Sequence, residues 1–269
     1  MAGELIGKTA FVTGSGRGLG KLMAEKLAEQ GADVIIHDID AAQPAKYGEY
    51  ENLAAVEKDV ARHGTRVMSV TGNIGDPEAV ARMKAEIDAG FGEVHILVNC
   101  AGGDIGAAGG KPDPNNALDI PLADVRALTE NNLIGTILVC QTFIPPMVKA
   151  GGGAVINIGS VAAHVGCSNG AIYATLKAAV VHYTRCLATE LKEAGVRVNA
   201  VSPGPAKTAR FEATRVTDPD KMNSQKVSLD RYAEPGEIAD AVAFLAGPRS
   251  KFINGQVLRV DGGMSLYPG

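Results

Sequence analysis

The chain carries Thr13-Gly-Ser-Gly-Arg-Gly-Leu-Gly20 between a short β-branched run and a segment whose apolar residues recur at helical spacing. Glycines allow the backbone to turn tightly and to approach a bound group closely. The N-terminus of the following helix adds N–H groups and partial positive charge. The order strand, glycine turn, helix therefore predicts a phosphate-binding turn, whereas the glycines alone could form a tight turn that binds nothing.

Short apolar runs rich in β-branched residues alternate with helical patterns along the rest of the chain. The runs cover residues 9–13, 34–37, 66–70, 96–99, 154–158, 197–201 and 256–260. This alternation predicts a single α/β domain over residues 1–269, with a Rossmann-like, doubly wound parallel sheet of about seven strands and helices on both faces. Ligands bind at the carboxyl ends of such strands. Two polar segments near 103–121 and 204–231 are predicted to be mobile loops over a site.

Individual helix boundaries are also predicted. Leu19, Leu22, Met23 and Leu27 have helical spacing, and residues 236–245 form another short helical pattern. Asp76 followed by Pro77 is typical of a helix N-cap and a first-turn proline.

Charge and composition restrict the class of partner. The formal net charge is −4, and the Lys and Arg residues are scattered rather than clustered. This distribution gives no footprint for nucleic acid or an anionic membrane, so the predicted partner is a small molecule. No apolar run approaches the ~20 residues of a membrane span and no signal core is present, which predicts a cytoplasmic protein. The four cysteines and five histidines lack ligand spacing, so no metal site is predicted.

Asp38 ends the second predicted strand, 18 residues after Gly20. A carboxylate near this spacing accepts hydrogen bonds from the adenosine ribose and repels a 2′-phosphate, so NAD is favoured over NADP. Arg17 opposes that preference, because a guanidinium in the glycine turn could pair with the 2′-phosphate. Asp38 could instead be a turn or capping residue.

Tyr173 and Lys177 lie four residues apart in Tyr-Ala-Thr-Leu-Lys, which places them on one face of a predicted helix. A free tyrosine has a pKa near ~10, so it works as an acid or base at neutral pH only if its pKa is lowered, as a nearby cation can do. This spacing is common by chance. Together with Ser160, 13 residues upstream, and the glycine turn, it indicates hydride-transfer chemistry.

These residues resemble one family over essentially the whole chain, the classical short-chain dehydrogenases/reductases. The matching motifs are Thr13-Gly-x-x-x-Gly-x-Gly20, Asn99-Cys-Ala-Gly102, Asn132 in Asn-Leu-Ile-Gly, Ser160, Tyr173-x-x-x-Lys177, Pro203-Gly204 with Thr208, and Asp261-Gly-Gly263. The resemblance implies that Tyr173 is the general acid/base and that Ser160 holds the reacting oxygen. Lys177 would lower the Tyr173 pKa and bind the nicotinamide ribose, and Asn132 would bind a water that links Lys177 to solvent.

The resemblance also implies the residues of a cofactor cleft. They are Gly14, Arg17, Gly18, Leu19, Gly20, Asp38, Asn73, Ile74, Asn99, Ala101, Gly102, Tyr173, Lys177, Pro203, Gly204, Ala206 and Thr208. Substrate contacts are expected at Gly103, His164, Ser168, Asn169 and Phe211. All but Phe211 are small or polar, which favours a hydroxylated substrate such as a sugar or polyol. Asn73 departs from the family, which commonly has Asp there. A homotetramer is expected by the same resemblance.

Three functions remain open from the sequence. The leading hypothesis is NAD-dependent oxidation of a secondary alcohol, or the reverse reduction of a ketone. An NADPH-dependent 3-oxoacyl-thioester reductase is the enzymatic alternative, which Asp38 disfavours. A nucleotide-sensing protein without catalytic activity is the third, and the presence of all four catalytic residues disfavours it.

Overall fold

A computed structural model of the protein describes residues 3–225 and 227–266. Its strands form one parallel sheet of seven in the order β3-β2-β1-β4-β5-β6-β7. They are β1 Thr9–Thr13, β2 Asp33–Asp38, β3 Val67–Thr71, β4 Ile96–Asn99, β5 Gly153–Ile158, β6 Val196–Pro203 and β7 Val257–Val260. The predicted doubly wound sheet is therefore confirmed.

The β-branched runs become strands because both faces of the sheet are covered. In β1, Ala10 and Val12 contact one hydrophobic core, and Phe11 between them contacts the other. Val34 and Ile36 of β2 alternate with Ile35 in the same way. All of these side chains are fully buried, which explains why the strands appear in the sequence as continuous apolar runs.

Eight α-helices connect the strands within the described residues. They are α1 Gly18–Glu29, α2 Leu53–Val60, α3 Pro77–Gly90, α4 Leu122–Thr129, α5 Gly135–Lys149, α6 Ala171–Leu191, α7 Ala209–Thr214 and α8 Pro235–Ala246. Helices α1, α2 and α8 pack on one face of the sheet, and α3, α5 and α6 on the other. Asp76 caps α3 as predicted, since its Oδ1 accepts from the Glu78 N–H at 2.9 Å.

Two connections differ from the prediction. The segment 204–231 is not loop throughout, because α7 lies within it and Thr208 caps that helix by accepting from the Phe211 N–H at 3.2 Å. The connection between β2 and α2 contains a 3₁₀ turn, Gln43–Tyr47, that the sequence patterns did not predict. Among the described helices, none has the length and apolarity needed to span a membrane.

The strand order reverses beside β1, whose neighbours are β2 and β4. The connections that leave the carboxyl ends of these strands diverge there, one to each face of the sheet. A crevice opens at such a point in doubly wound sheets.

Candidate active site

The glycine turn joins β1 to α1 at this crevice. Arg17 is the N-cap residue of α1 and makes no side-chain cap hydrogen bond. A Cβ on Gly14 would lie 2.7 Å from the Ala101 Cα, and a Cβ on Gly20 would overlap the Gly14 carbonyl oxygen. The turn therefore needs glycine at both positions because the backbone passes too close for a side chain.

His37 holds the glycine turn in place by hydrogen bonds. Its Nδ1 accepts from the Gly14 N–H at 3.1 Å, and its Nε2 lies 2.9 Å from the Gly72 carbonyl oxygen. These partners require the neutral tautomer with hydrogen on Nε2. Burial lowers the His37 pKa from 6.5 to about 4. The sequence placed His37 near the end of a strand but gave no sign of this supporting role.

Acid should destabilise the protein through His37. The unfolded chain binds a proton on His37 near pH 6.5 and the folded chain only near pH 4. The contribution of this group is therefore complete above about pH 6.5 and is lost as the pH falls to about 4, by about 3 kcal/mol in all. Urea unfolding at pH 7 and pH 5 should show a smaller drop in the free energy of unfolding for His37→Gln than for the natural chain.

His182 provides the matched control for that measurement, since it is exposed on α6. His182→Gln should leave the drop in unfolding free energy between the two pH values as it is in the natural chain. An equal drop in the natural chain and in His37→Gln would contradict the assignment of acid sensitivity to His37.

Asp38 lies at the end of β2 against the glycine turn. Its Oδ2 is 2.5 Å from the position that a Cβ on Gly16 would take, and its Oδ1 accepts from the Ile39 N–H at 2.9 Å. Burial raises the pKa of this carboxyl group, while the Ile39 hydrogen bond and the Arg17 charge oppose the rise. The Arg17 guanidinium lies over the Tyr47 ring, with its Cζ 4.8 Å from the ring centre.

The connection between β2 and α2 covers the adjoining part of the cleft. Glu49 Oε2 accepts from the Gly18 N–H at 2.8 Å, so a carboxylate already contacts the first residue of α1. Lys46 Nζ donates to the Gly109 carbonyl oxygen at 2.9 Å, which joins this connection to the loop after β4. Sequence reasoning missed both residues, because neither belongs to a periodic pattern or a known motif.

Tyr173, Ser160 and Lys177 come together at the other end of the cleft. Ser160 lies just after β5, and its hydroxyl accepts from the Ala162 N–H at 3.2 Å. Ser160 and Tyr173 both line the cleft, and Ser160 opposes the rise of the Tyr173 pKa. Lys177 lies one turn along α6 from Tyr173, with its Nζ 5.8 Å from the tyrosine ring centre. The same Nζ donates to the Ile158 carbonyl oxygen at 2.9 Å, which fixes the buried ammonium beneath the tyrosine.

The Tyr173 pKa differs from the sequence expectation. Burial raises it and outweighs the opposing effects of the Ser160 hydrogen bond and the Arg210 charge. Burial also lowers the Lys177 pKa to about 8, which weakens that side chain as a cation. Residue spacing could not reveal this result, because it depends on how completely the two side chains are removed from water.

Asn132 lies in a π-helical turn, Glu130–Ile134, between α4 and α5. Its amide group donates to the carbonyl oxygens of Gly103 and Leu128, both at 2.9 Å, and accepts from the Gly103 N–H at 2.8 Å. The side chain is fully buried and is not part of the cleft wall. It therefore holds the glycine backbone after β4 in place, and its amide N–H groups are already occupied.

Asn99 does not line the cleft, contrary to the prediction from the resemblance. Its Nδ2 donates to the Asn157 Oδ1 at 2.8 Å, and Asn157 in turn donates to the Thr184 hydroxyl at 2.9 Å. All three side chains are buried. Asn99 therefore ties β4 to β5 and α6 behind the cleft.

The predicted substrate residues divide into two groups. Gly103, Asn169 and Phe211 line the cleft, whereas His164 and Ser168 do not. His164 Nε2 lies 3.0 Å from the buried Ser202 Oγ, because the 3₁₀ turn Val161–His164 directs the imidazole toward β6. Arg210 also lines the cleft and was missed because its segment was interpreted as loop.

The cleft has a volume of about 720 Å³ and runs from the glycine turn to Tyr173 and α7. Apart from Asn99, every residue predicted to bind the cofactor lines it. Glycines that cradle an approaching group, a helix N-terminus and a carboxylate at the end of β2 form a donor and acceptor set that fits a dinucleotide. The hydroxyl pair and the lysine lie at the opposite end of the same cleft.

Known proteins are similar to this chain in sequence and in architecture. A family model described as enoyl-(acyl carrier protein) reductase matches residues 14–265. Subunit BbsD of (2S)-[(R)-hydroxy(phenyl)methyl]succinyl-CoA dehydrogenase from Thauera aromatica is 38% identical over 263 residues, which cover 97% of this chain and 98% of the relative. The 3-oxoacyl-[acyl-carrier-protein] reductase FabG of Staphylococcus aureus is 32% identical over 264 residues, covering 96% and 98%.

Solved structures agree. The 7α-hydroxysteroid dehydrogenase complexed with NADH and 7-oxo glycochenodeoxycholic acid superimposes with a TM-score of 0.82 at 31% sequence identity, over 97% of this chain and 96% of that one. The sequence relatives, the family match and the sheet topology lead to one conclusion. This chain belongs to the classical short-chain dehydrogenases/reductases, and it is an oxidoreductase of that type.

Proposed function

We propose that the protein transfers a hydride between NAD and a secondary alcohol or its ketone, with Tyr173 as the general acid/base. The observation that carries this proposal is that Tyr173, Ser160 and Lys177 line the same cleft as the glycine turn, with the Lys177 Nζ 5.8 Å from the centre of the Tyr173 ring. The bound cofactor would accept or supply the hydride and, when oxidised, would bring a positive charge to the site.

Side chains of the protein would transfer the proton and stabilise the reacting oxygen of the substrate. Removal of hydride from an alcohol carbon requires loss of the hydroxyl proton, which Tyr173 would accept; in the reverse direction Tyr173 would return it. Ser160 would donate a hydrogen bond to the reacting oxygen, where negative charge develops. Lys177 would favour the charged form of Tyr173, and Asn132 would position the Gly103 backbone beside them.

Asp38 supports the preference for NAD. Its carboxylate lies beside Gly16 at the end of β2, where it would accept hydrogen bonds from ribose hydroxyls and repel a 2′-phosphate. Arg17 is the group that could favour NADP, but its guanidinium is engaged by the Tyr47 ring.

Exchange of Asp38 for Asn should reduce the preference for NAD. We expect the ratio of kcat/KM for NAD to that for NADP to fall roughly 30-fold, since a like-charge repulsion of a few kcal/mol near the protein surface is removed. Steady-state oxidation of an alcohol with each cofactor, followed by the absorbance of the reduced form, measures that ratio.

Asp40 is the matched control for Asp38, because it lies two residues further on, is exposed, and bonds to Gln43. Asp40→Asn should leave the ratio unchanged. A strong preference of the natural chain for NADP would contradict the proposal and favour the 3-oxoacyl-thioester reductase. Binding of a dinucleotide with no turnover of any alcohol or ketone would favour the nucleotide-sensing alternative.

The substrate class and the assembly extend the proposal. The names of the relatives refer to a thioester, a steroid and an acyl-carrier-protein substrate, so the family allows unlike alcohols. Small and polar residues on this cleft wall, Gly103 and Asn169 among them, support a hydroxylated compound such as a sugar or polyol.

We propose a cytoplasmic homotetramer by the family resemblance, and sedimentation would measure its size.

A further inference from the structure

Arg210 brings a guanidinium without a carboxylate partner to the substrate end of the cleft. Its Nη2 donates to the Asp104 backbone carbonyl oxygen at 3.1 Å, and its Nη1 lies so close to Gly103 that a Cβ there would overlap it. Within residues 3–225 and 227–266, no carboxylate oxygen lies within 4.0 Å of this guanidinium. An arginine has five N–H donors, so most of them remain for a ligand.

The Arg210 charge acts on the catalytic residues. It opposes the rise of the Tyr173 pKa and contributes to the lowering of the Lys177 pKa. Arg215, five residues further along and also on the cleft wall, acts on Tyr173 in the same direction. Two arginines of one segment therefore lie within electrostatic range of the hydroxyl at which the chemistry would occur.

Asp104 is the opposing charge at this end of the cleft. Its side chain is buried, and its Oδ2 accepts from the Asn115 Nδ2 at 2.9 Å within the same loop. Arg210 contacts the Asp104 backbone and not this carboxylate. Asp104 acts on the Tyr173 hydroxyl in the direction opposite to Arg210 and Arg215, so two cationic side chains and one carboxylate act on that hydroxyl.

We propose that Arg210, assisted by Arg215, binds a carboxylate of the substrate, so that the alcohol oxidised at Tyr173 belongs to a hydroxy acid. This inference rests on the proposed function for the identity of the reacting group. A planar guanidinium pairs with a carboxylate through two parallel hydrogen bonds, which fixes orientation as well as affinity. Because Arg210 lies against Gly103 close to Tyr173, the carboxylate would lie a short distance along the substrate from the reacting carbon.

Binding to the NADH-loaded protein tests this without turnover, since an alcohol and the reduced cofactor form a dead-end complex. Calorimetry would compare matched pairs of acid and neutral compound: gluconate with glucitol, 3-hydroxybutyrate with 3-hydroxybutyramide, and glycerol 3-phosphate with glycerol. We expect at least one carboxylic acid to bind tenfold or more tightly than its neutral partner. In Arg210→Gln that ratio should fall at least tenfold, to about unity, since a charge-assisted hydrogen-bond pair is lost.

Arg82 on α3 provides the control, because it is an exposed arginine outside the cleft. Arg82→Gln should keep the ratio of the natural chain, and Arg210→Lys should keep part of it. The proposal is overturned if no carboxylic acid binds more tightly than its neutral partner, or if Arg210→Gln retains the preference. A preference confined to glycerol 3-phosphate would overturn the carboxylate assignment in favour of a phosphate.

Failure of the proposed function is distinguishable from failure of this inference. If the protein oxidises neutral alcohols with NAD but shows no preference for acids, only the proposed carboxylate site is contradicted. If the protein keeps the acid preference but oxidises none of these compounds, the hydride-transfer proposal is contradicted. Arg210 would then be an anion-binding residue.

Discussion

Replacing Tyr173 with Phe should lower kcat by about 10³-fold or more while NAD still binds. The substitution removes one hydroxyl and keeps the aromatic ring on the cleft wall, so the cleft retains its shape. A positioned general acid/base contributes roughly 10² to 10⁴ to the rate, and loss of a hydrogen bond to the reacting oxygen adds to that effect. Steady-state kinetics gives kcat, and calorimetric titration with NAD gives the affinity of the cofactor.

Tyr183 provides a control from the same helix. Its ring packs against the hydrophobic core, and its hydroxyl is near the Cys140 thiol and not in the cleft. Tyr183→Phe should change kcat by no more than about twofold, since it touches neither end of the cleft. Substantial activity in Tyr173→Phe would mean that another group moves the proton.

Gly20→Ala should disrupt the cofactor end of the cleft. The new Cβ would overlap the Gly14 carbonyl oxygen, and because both atoms belong to the backbone of one tight turn, neither can move without distorting it. We expect the free energy of unfolding to fall by about 3 kcal/mol, in the range of other overpacked sites. NAD affinity should fall roughly 100-fold, which corresponds to a similar energy for restoring the turn.

Gly236 in the first turn of α8 is the matched glycine control. A Cβ there would meet no atom within 4 Å, so Gly236→Ala should leave NAD affinity unchanged and should stabilise the protein slightly. Denaturant unfolding and NAD titration on both variants separate a local effect at the turn from a general effect of alanine. Equal behaviour of the two variants would contradict the close approach of Gly14 and Gly20.

The sequence patterns predicted most of the fold. Burial on both faces makes a parallel strand a continuous apolar run, and Phe11 with its neighbours is typical. The glycine turn and the face shared by Tyr173 and Lys177 depend only on local backbone geometry, which spacing reports directly. Local signals of this kind predicted the seven strands, and the family resemblance predicted the cofactor residues, all of which except Asn99 line the cleft.

Other features depend on contacts between distant segments. Glu49 meets Gly18 across 31 residues, and His164 reaches Ser202 across 38, with no pattern that links either pair. Arg210 was missed because α7 has only 6 residues, which is too short for helical periodicity to show. The Tyr173 pKa depends on burial, which is a property of the packed protein and not of its spacing.

Gly102 and Gly103 carry a consequence for engineering of the cleft. Both have positive φ, and each is closed to a side chain by a different neighbour: Asn132 Oδ1 would lie 2.7 Å from a Cβ on Gly102, and Arg210 Nη1 would overlap one on Gly103. Every other amino acid is therefore opposed by the backbone conformation at both positions, and at Gly102 also by the buried, hydrogen-bonded Asn132 side chain. A mutant library that aims to change the substrate should keep this dipeptide fixed and diversify Asn169 and Phe211, which line the same cavity from separate segments.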